Sequence, residues 1–243
     1  MLFWLYIPGK RWYNYLEWLG KEEGYSLIQA VIFELNGVLV DVDLCHRRAW
    51  KRMAKEQGLP FDDRLYARMQ GMDAQQGLDC MLGKARRNYS LGEKWALSAR
   101  NHDLYSEQIT LLTRDQMLPG AMDTLNALKA QGIKLAAEGP DENMKGILRQ
   151  LKLLDLMDAV VDDSQITRKK PDPQSLLLTA QKLSLSPEQC LAVVDSLPGA
   201  EAAEKIGMKV AAIGNAADCS VADICAETLQ EIDLAALIAA GNI

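Results

Sequence analysis

A short apolar run that ends abruptly in polar residues constrains the fold more than any other stretch of the chain. Residues 30–33 read Ala-Val-Ile-Phe, and Glu34, Leu35, Asn36 and Gly37 follow them. Apolar, β-branched and aromatic residues that stop at polar groups and a glycine are typical of a buried parallel strand. Because ligand sites in parallel sheets lie at the carboxyl ends of the strands, we expect a site at Glu34 and Asn36.

The composition is that of a globular protein, and it argues against several kinds of partner. The chain has 243 residues, 49% apolar and 25% charged, which is enough for one core and a smaller second unit. The net charge of −6 argues against a nucleic-acid partner, and no apolar run reaches the roughly 18 residues of a membrane span. Five cysteines without a CxxC pair indicate reduced thiols in the cytoplasm. We expect a monomer and, with only two histidines, no His/Cys metal site.

The pattern of strands and helices predicts the fold class. Strand-like runs follow the first one at 133–137, 157–163, 190–196 and 209–213, and helical spacing marks 62–70, 74–83, 93–112, 121–129 and 232–240. Only helical patterns occur over 43–117, between the first and second strands. The sequence therefore predicts an α/β fold, with a Rossmann-like parallel sheet in a core of residues 27–42 and 118–243 and an inserted all-helical domain at 43–117.

Residues 1–26 precede this pattern as an N-terminal extension that contains three of the five tryptophans. The opening apolar run is interrupted at Pro8-Gly9 and has no basic residue before it, so it makes a poor signal peptide and is too short to span a membrane. Several interpretations stay open. The segment is an amphipathic or partner-binding surface, it is disordered, or it is not native sequence, because purine-rich codons of a ribosome-binding site would encode Lys21-Glu22-Glu23-Gly24.

Four separated motifs resemble those of the haloacid dehalogenase-like (HAD) superfamily of phosphotransferases, in the same order along the chain. They are Phe33-Glu34-Leu35-Asn36-Gly37-Val38, the strand end Ala137-Glu138-Gly139-Pro140, Lys170-Pro171-Asp172-Pro173, and Asp195-Ser196 with Gly199, Ala202 and Ala203. The resemblance covers about 27–240. Within the helical insertion, 46–51 and 70–72 resemble the β-phosphoglucomutase cap. The resemblance implies an α/β core with a helical cap and an activity on sugar phosphates.

The resemblance also implies roles for individual residues of the core. Glu34 takes the position of the nucleophile and Asn36 that of the general acid/base, where the family normally has aspartates. The phosphate-binding position, normally Ser or Thr, falls at Ala137 and Glu138, and Lys170 is the cation that neutralises the phosphoryl group. Mg²⁺, if it binds, would be held by the Glu34 carboxylate, the backbone of Asn36 and the Asp195 carboxylate. The family usually has a second acid directly before the position of Asp195, and this chain has Val194 there.

Four residues of the cap take positions near the substrate in the resemblance. His46 lies in the motif His-Arg-Arg-Ala-Trp-Lys, and the arginine that would hold a distal phosphate is Ala74. A second cationic position falls on Asn101, next to Arg100. Phosphate is held by arginine or lysine, so this cap has lost much of its basis for preferring a bisphosphate. For His46, packing within the cap and a role near the substrate are both open.

The substitutions at the reaction centre predict weak chemistry. Asn36 cannot carry a proton, and general acid/base catalysis is worth about 10²–10⁴ in rate. Glu34 keeps a carboxylate but moves it outwards by roughly one bond, or ~1.5 Å, and a displacement of about 1 Å can lower the rate on the order of 10²-fold. Because Mg²⁺ needs nearly octahedral oxygen ligands, we expect weak or absent Mg²⁺ binding.

Three functions remain open. We favour a binding or regulatory relative of the phosphosugar phosphatases and phosphomutases that has lost most or all phosphoryl transfer, with a small phosphorylated sugar or no small molecule as its ligand. The second is a slow Mg²⁺-dependent phosphatase or β-phosphoglucomutase-like enzyme, a hydrolase or an isomerase. It would use Glu34 as nucleophile or rearranged roles for Glu138, Asp141 or Asp195. The third is an interaction protein in which residues 1–24 bind the partner.

Two plainer interpretations concern the motif itself. Glu34 and Asp195 are two acids at a sheet edge that pair with Lys170 and do nothing more. Alternatively, Glu34 and Asn36 are laboratory substitutions that trap a complex. The further departures at Ala74, Ala137 and Val194 argue against the laboratory origin.

Overall fold

The computed structural model describes residues 4–5, 13–14, 28–70, 72–85, 87–241 and 243. The chain divides into two compact units. The core unit comprises Met1–Asp41 with Arg114–Ile243, and the helical unit comprises Val42–Thr113. The helical unit is therefore inserted directly after the first long strand, between it and the rest of the core.

A parallel sheet forms the centre of the core unit. Its strands are β3 (Ala30–Glu34), β4 (Lys134–Gly139), β5 (Ala159–Asp162), β6 (Cys190–Val194), β7 (Lys209–Ile213) and β8 (Ile224–Ala226). They run side by side in the order β5-β4-β3-β6-β7-β8, and every pairing is parallel. The predicted α/β class with a Rossmann-like parallel sheet is confirmed.

β3 lies in the middle of the sheet because both of its faces are apolar. All five of its residues are buried, as are all five of β6. Alternate side chains of a strand point to opposite faces, so such a strand needs cover on both sides. Ile32 and Leu176 belong to one buried cluster. β8 was not predicted, because its three residues are too few to show a strand pattern.

Helices of the core unit cover the sheet. They are α5 (Ala121–Ala130), α6 (Met144–Gln150), α7 (Gln174–Leu183), α8 (Leu197–Glu204) and α9 (Leu234–Ala239), and short 3₁₀ turns lie at Arg114–Gln116, Leu154–Leu156, Asp163–Gln165, Pro187–Gln189, Gly214–Ala216 and Leu229–Glu231. α7 contacts β3, β4 and β5, and α8 contacts β6 and β7. α5 packs on β4, and α9 packs on α5.

Aspartate side chains hold the turns before two helices of the core unit. α6 begins at Met144, and in the turn before it the Asp141 carboxylate accepts the Asn143 N–H at 2.8 Å. Pro173 is the N-cap of α7. The Asp172 side chain accepts the Gln174 N–H at 3.0 Å, so its oxygen satisfies a donor of the first turn from one residue further out.

The helical unit consists of α1 (Asp43–Glu56), α2 (Asp63–Met69), α3 (Ala74–Leu82) and α4 (Leu91–Ile109), and the part described contains no strand. α1 and α4 form its main packing contact. Asp62, Asp73 and Ser90 cap the starts of α2, α3 and α4 with side-chain oxygens, which explains where these helices begin. In the described part of the chain, no helix combines the length and hydropathy needed to cross a bilayer.

The first 27 residues are described at two places only. β1 (Trp4–Leu5) pairs with β2 (Tyr13–Asn14) in an antiparallel arrangement, with Trp4 opposite Asn14. The expectations for residues 1–26, whether a partner-binding surface, a disordered segment or non-native sequence, otherwise lie outside the described residues.

Gly120 provides a test of the contact between the start of α5 and the turn at 229–231. Its φ is +81°, and a Cβ there would lie 2.3 Å from the backbone nitrogen of Gln230. Gly132 has a similar φ of +78° but no heavy atom within 4 Å of the same position. We expect Gly132→Ala to lower the free energy of unfolding by about 1–2 kcal/mol, and Gly120→Ala to lower it by about 1–3 kcal/mol more because backbone must move. Equilibrium urea unfolding measures both, and equal losses would contradict the contact.

Candidate active site

Three carboxylates meet at the carboxyl edge of the central strands. Glu34 is the last residue of β3, and the parallel register places Glu138 of β4 directly beside it. Asp195 follows β6, the other neighbour of β3. Adjacent parallel strands end at the same edge of a sheet, so this arrangement follows directly from the topology.

Lys170 lies between two of these carboxylates. Its Nζ donates hydrogen bonds to Glu34 Oε1 and to Glu138 Oε1. The exposed fraction of the side chain is 8% for Glu34, 1% for Glu138 and 16% for Lys170. Buried carboxylates need a paired cation, because removing a charge from water costs several kcal/mol. Lys170 supplies one positive charge for two buried acids.

Both oxygens of Glu34 accept further hydrogen bonds. Oε2 accepts the backbone N–H of Asp195 at 2.8 Å, and the Ser196 hydroxyl lies 3.0 Å from Oε1 and 3.3 Å from Oε2. The Ser196 oxygen in turn accepts the Gly199 N–H at 3.2 Å at the start of α8. The Glu34 carboxylate is thus held by a cation, a hydroxyl and a backbone donor.

The Glu138 carboxylate has fewer hydrogen-bond partners than the Glu34 carboxylate. Its Oε2 and the buried hydroxyl oxygen of Ser175 have no hydrogen-bond partner among the described residues. Burial raises the pKa of the Glu138 carboxyl, and the charge of Glu34 raises it further against the opposing effect of Lys170. Burial alone would lower the pKa of Lys170, but the charges of Glu138 and Glu34 outweigh it and hold that pKa above its usual value. Lys170 therefore stays charged, and Glu138 is easier to protonate than a glutamate in water.

Asp195 is the third acid, and the loop after β3 lies against it. Burial, together with the charge of Glu34, raises the pKa of Asp195 to about 7. Asn215 Nδ2 lies 3.4 Å from Asp195 Oδ2. Gly37 has a φ of +80°, and a Cβ at this position would lie 1.7 Å from Asp195 Oδ2. Only a glycine permits this approach, because any side chain would overlap the carboxylate.

The arrangement does not fit the Mg²⁺ site that the resemblance implies. Mg²⁺ requires nearly octahedral oxygen ligands, usually with carboxylates among them. Both Glu34 oxygens are directed at donors, and the position before Asp195 is the buried Val194. Among the described residues, no group of three or more His, Cys, Asp or Glu side chains could hold a metal ion. We assign no chemical step to Mg²⁺.

The other predicted core positions contribute less to this cluster. Asn36 is exposed, and its backbone forms a bridge with Val40. Ala137 pairs with Phe33 and has no exposed surface, so its side chain cannot contact a phosphate. Glu138 takes that place at the edge, where Lys170 neutralises part of its charge.

The four predicted cap positions belong to the helical unit. The His46 ring stacks on Tyr105 with 3.9 Å between the ring centroids. Arg100 donates two hydrogen bonds to the Glu56 carboxylate, from Nε at 3.0 Å and from an Nη at 2.8 Å. Asn101 is buried and its Oδ1 has no partner within the described chain, whereas Ala74 is exposed at the start of α3. The charge of Arg100 is therefore already balanced within this unit.

Sequence reasoning gave no role to three polar residues around the cluster. Ser196 was part of the motif that contains Asp195, but its hydrogen bond to Glu34 was not predicted. Ser175 and Asn215 lie in a helix and in a 3₁₀ turn, and nothing in their local sequence marks them. Their proximity to the acids depends on how those elements pack.

Comparison with known proteins agrees with the fold and the order of the motifs. The model of the haloacid dehalogenase-like hydrolase family matches residues 28–207. The chain belongs to this family. The match includes β3, the whole helical unit and the strands that carry Glu138 and Asp195.

The relatives indicate the subfamily. The β-phosphoglucomutase of Bacillus subtilis is 32% identical over 209 residues, which cover 85% of this chain and 92% of that protein. A phosphorylated carbohydrates phosphatase of Thermotoga maritima is 30% identical over 184 residues, covering 75% and 83%. The crystal structure of a β-phosphoglucomutase from Clostridium difficile has a TM-score of 0.74 and 25% identity, covering 88% and 97%. This HAD protein is thus β-phosphoglucomutase-like, within a family of phosphosugar phosphatases and phosphomutases.

Removal of the shared cation tests the central ion cluster. In Lys170→Met, Glu34 and Glu138 remain buried without a positive charge, and we expect the free energy of unfolding to fall by about 3–5 kcal/mol. Lys129→Met is the matched control, because Lys129 pairs with Asp158 at 2.9 Å and both side chains are more than a third exposed. We expect that control to lose about 0–1 kcal/mol. Equilibrium urea unfolding measures the loss of unfolding free energy in both variants. Similar losses would show that the cluster does not depend on Lys170.

The raised pKa of Glu138 predicts a pH dependence of stability. A group whose pKa is higher in the folded state than its ordinary value of 4.5 binds its proton more tightly when folded. Its contribution to stability is complete below that value and is lost as the pH rises through the folded pKa. The stability of Glu138→Gln relative to the wild type should therefore increase from about pH 5 upwards, by at most about 1.4 kcal/mol per pH unit. Urea unfolding at pH 5, 6, 7 and 8 measures the difference, and a constant difference would contradict the assignment.

Proposed function

We propose that this β-phosphoglucomutase-like protein binds a small phosphorylated sugar but carries out little or no phosphoryl transfer, so that its role is binding or regulation. One observation carries the proposal. The cation and the carboxylate expected to perform the chemistry, Lys170 and Glu34, are bonded to each other and to a second buried glutamate, Glu138.

Charge at the cluster opposes an incoming phosphoryl group. Phosphoryl transfer relies on cations that neutralise the transferring oxygens. Lys170 instead faces two carboxylates, so the three side chains carry a net charge of −1 when both glutamates are ionised. A pair of unit charges about 4 Å apart interacts by about 4 kcal/mol at an effective dielectric constant near 20. The phosphoryl group would meet repulsion where the chemistry needs attraction.

The nucleophile position is also constrained. For Glu34 to attack a phosphorus atom, an oxygen would have to leave its bonds with Lys170, Ser196 or the Asp195 N–H. The amide of Asn36 cannot take up or release the proton that general acid/base catalysis requires, and this loss is worth about 3–5 kcal/mol of barrier. Such losses within one site are not additive. Each of them nevertheless acts in the same direction.

A slow phosphatase is the second candidate, and Asp195 favours it. The carboxyl of this residue lies against the Gly37 loop, and its pKa of about 7 would let it exchange a proton near neutral pH in place of Asn36. In this version Glu34 is the nucleophile. The two candidates differ in a single observable, which is whether phosphate release depends on Glu34.

We further propose that the protein acts as a monomer in the cytoplasm. All five cysteines are free thiols, including the buried Cys45, Cys190 and Cys219. Free thiols persist in a reducing compartment. Sedimentation at micromolar concentration would measure the oligomeric state directly.

Phosphate release from a panel of sugar phosphates, with Mg²⁺ present, tests the proposed function. We expect no difference between the wild type and Glu34→Gln, because neither performs the transfer. The restored variant Glu34→Asp/Asn36→Asp, with Glu138→Thr added to remove the second carboxylate, should gain at least about 10²-fold in rate. Calorimetric titration of the same sugar phosphates into the wild type should show binding without turnover.

The outcomes separate the candidates. Wild-type activity that Glu34→Gln abolishes would overturn the binding role and establish Glu34 as a nucleophile. Activity in the restored variant alone would support a scaffold that recognises the sugar phosphate without chemistry. No calorimetric binding and no activity in any variant would reject a phosphosugar ligand for the core unit.

A further inference from the structure

A cleft in the helical unit is lined by positive charge. It encloses about 710 Å³ around α2 and the turn after α3, within the range of small-molecule sites, and its lining residues are Pro60, Asp62, Arg64, Leu65, Ala67, Arg68 and Lys84. None of these residues belongs to the motifs that resemble catalytic or substrate positions. The cleft is therefore separate, in sequence, from the site described above.

Three cations line the cleft together with one carboxylate, that of Asp62. Within the described part of the chain, Arg64, Arg68 and Lys84 make no ion pair. The acids directly before Arg64 in the sequence, Asp62 and Asp63, already have partners. The Asp62 carboxylate accepts the Leu65 N–H at 2.7 Å as the cap of α2, and Asp63 pairs with Arg47.

Most of the other described arginines of the same unit are paired. Arg47, Arg52, Arg87 and Arg100 each pair with a carboxylate, whereas the exposed Arg48 makes no ion pair within the described residues. Arg64 and Arg68 lie four residues apart on one helix, where like charges repel each other. The chain has a net charge of −6, so acids to balance them are not scarce. A concave surface with several cations that no carboxylate neutralises is suited to bind an anion.

We propose that this cleft is a second binding site, for a small molecule that carries a phosphate group. Two arginines present planar donor pairs that match phosphate oxygens, and Lys84 adds a third positive charge. Pro60 and Ala67 supply exposed apolar wall for the organic part of the molecule. The volume of the cleft, which is within the range of small-molecule sites, favours a small molecule over an extended acidic peptide.

Titration of the ¹⁵N-labelled full chain with glucose 6-phosphate tests the site by NMR, with glucose as the probe that lacks the phosphate. We expect shifts at the amides of Leu65, Ala67 and Lys84 with the phosphate-bearing probe only. Amides of Lys170 and Asp195 report any binding in the core unit separately.

Paired variants test the arginines. Arg64→Gln/Arg68→Gln should raise the Kd measured at the cleft amides by about tenfold or more, because charged hydrogen bonds are lost. The matched control is Lys51→Gln/Lys55→Gln, which removes two exposed cations four residues apart on α1 that do not line the cleft. Its Kd should stay within about twofold of the wild type. Thermal melts followed by circular dichroism confirm that each variant folds.

Three results would overturn the proposal. The first is the absence of phosphate-dependent shifts at the cleft amides. The second is an equal weakening in the lysine control, which would indicate a general effect of net charge. The third is that a polyglutamate peptide shifts the cleft amides when glucose 6-phosphate does not, which would assign the surface to an acidic protein segment instead.

Discussion

The pairing of one lysine with two buried glutamates is the constraint on which the rest of this site depends. Glu34 and Glu138 stand side by side because their strands are parallel neighbours in register, and both side chains are almost completely removed from water. Two such charges cannot remain without a cation. Lys170, which precedes α7, therefore has a structural role in addition to any chemical one. The cluster joins β3, β4 and the segment before α7.

The fold of the core unit and the chemistry at its sheet edge depend on different residues. The apolar faces of β3 and β6 specify the sheet, and their packing does not depend on the residues at its edge. A relative can therefore keep the scaffold while the edge changes from a phosphate-binding arrangement to an internal salt bridge. This chain has a glutamate at 34, an amide at 36 and a glutamate at 138 at the positions of the family motifs. Each alters the charge or reach of the site, and none disturbs the buried strands.

The sequence was sufficient for the architecture but not for the contacts of the site. β7 was predicted at its observed bounds, Lys209–Ile213, because residues 210–213 form an uninterrupted apolar run shortly after Gly207. Glu138 was placed at the phosphate-binding position, yet its bond to Lys170 was not predicted. That bond depends on strand register and on how the segment before α7 returns to the sheet edge, which local patterns do not encode. Ser175 could not be predicted for the same reason, because nothing in the sequence distinguishes a serine within a helix.

The distribution of positive charge gives the two units different capacities for anions. Affinity for phosphate depends on cations that no carboxylate already neutralises. In the core unit, Lys170 is shared between two acids, and in the helical unit Arg100 is held by Glu56. Arg64, Arg68 and Lys84 make no ion pair within the described chain, and they line one cleft together. On electrostatic grounds the outer cleft is therefore better prepared for an anion than the position where the family resemblance places the phosphoryl group.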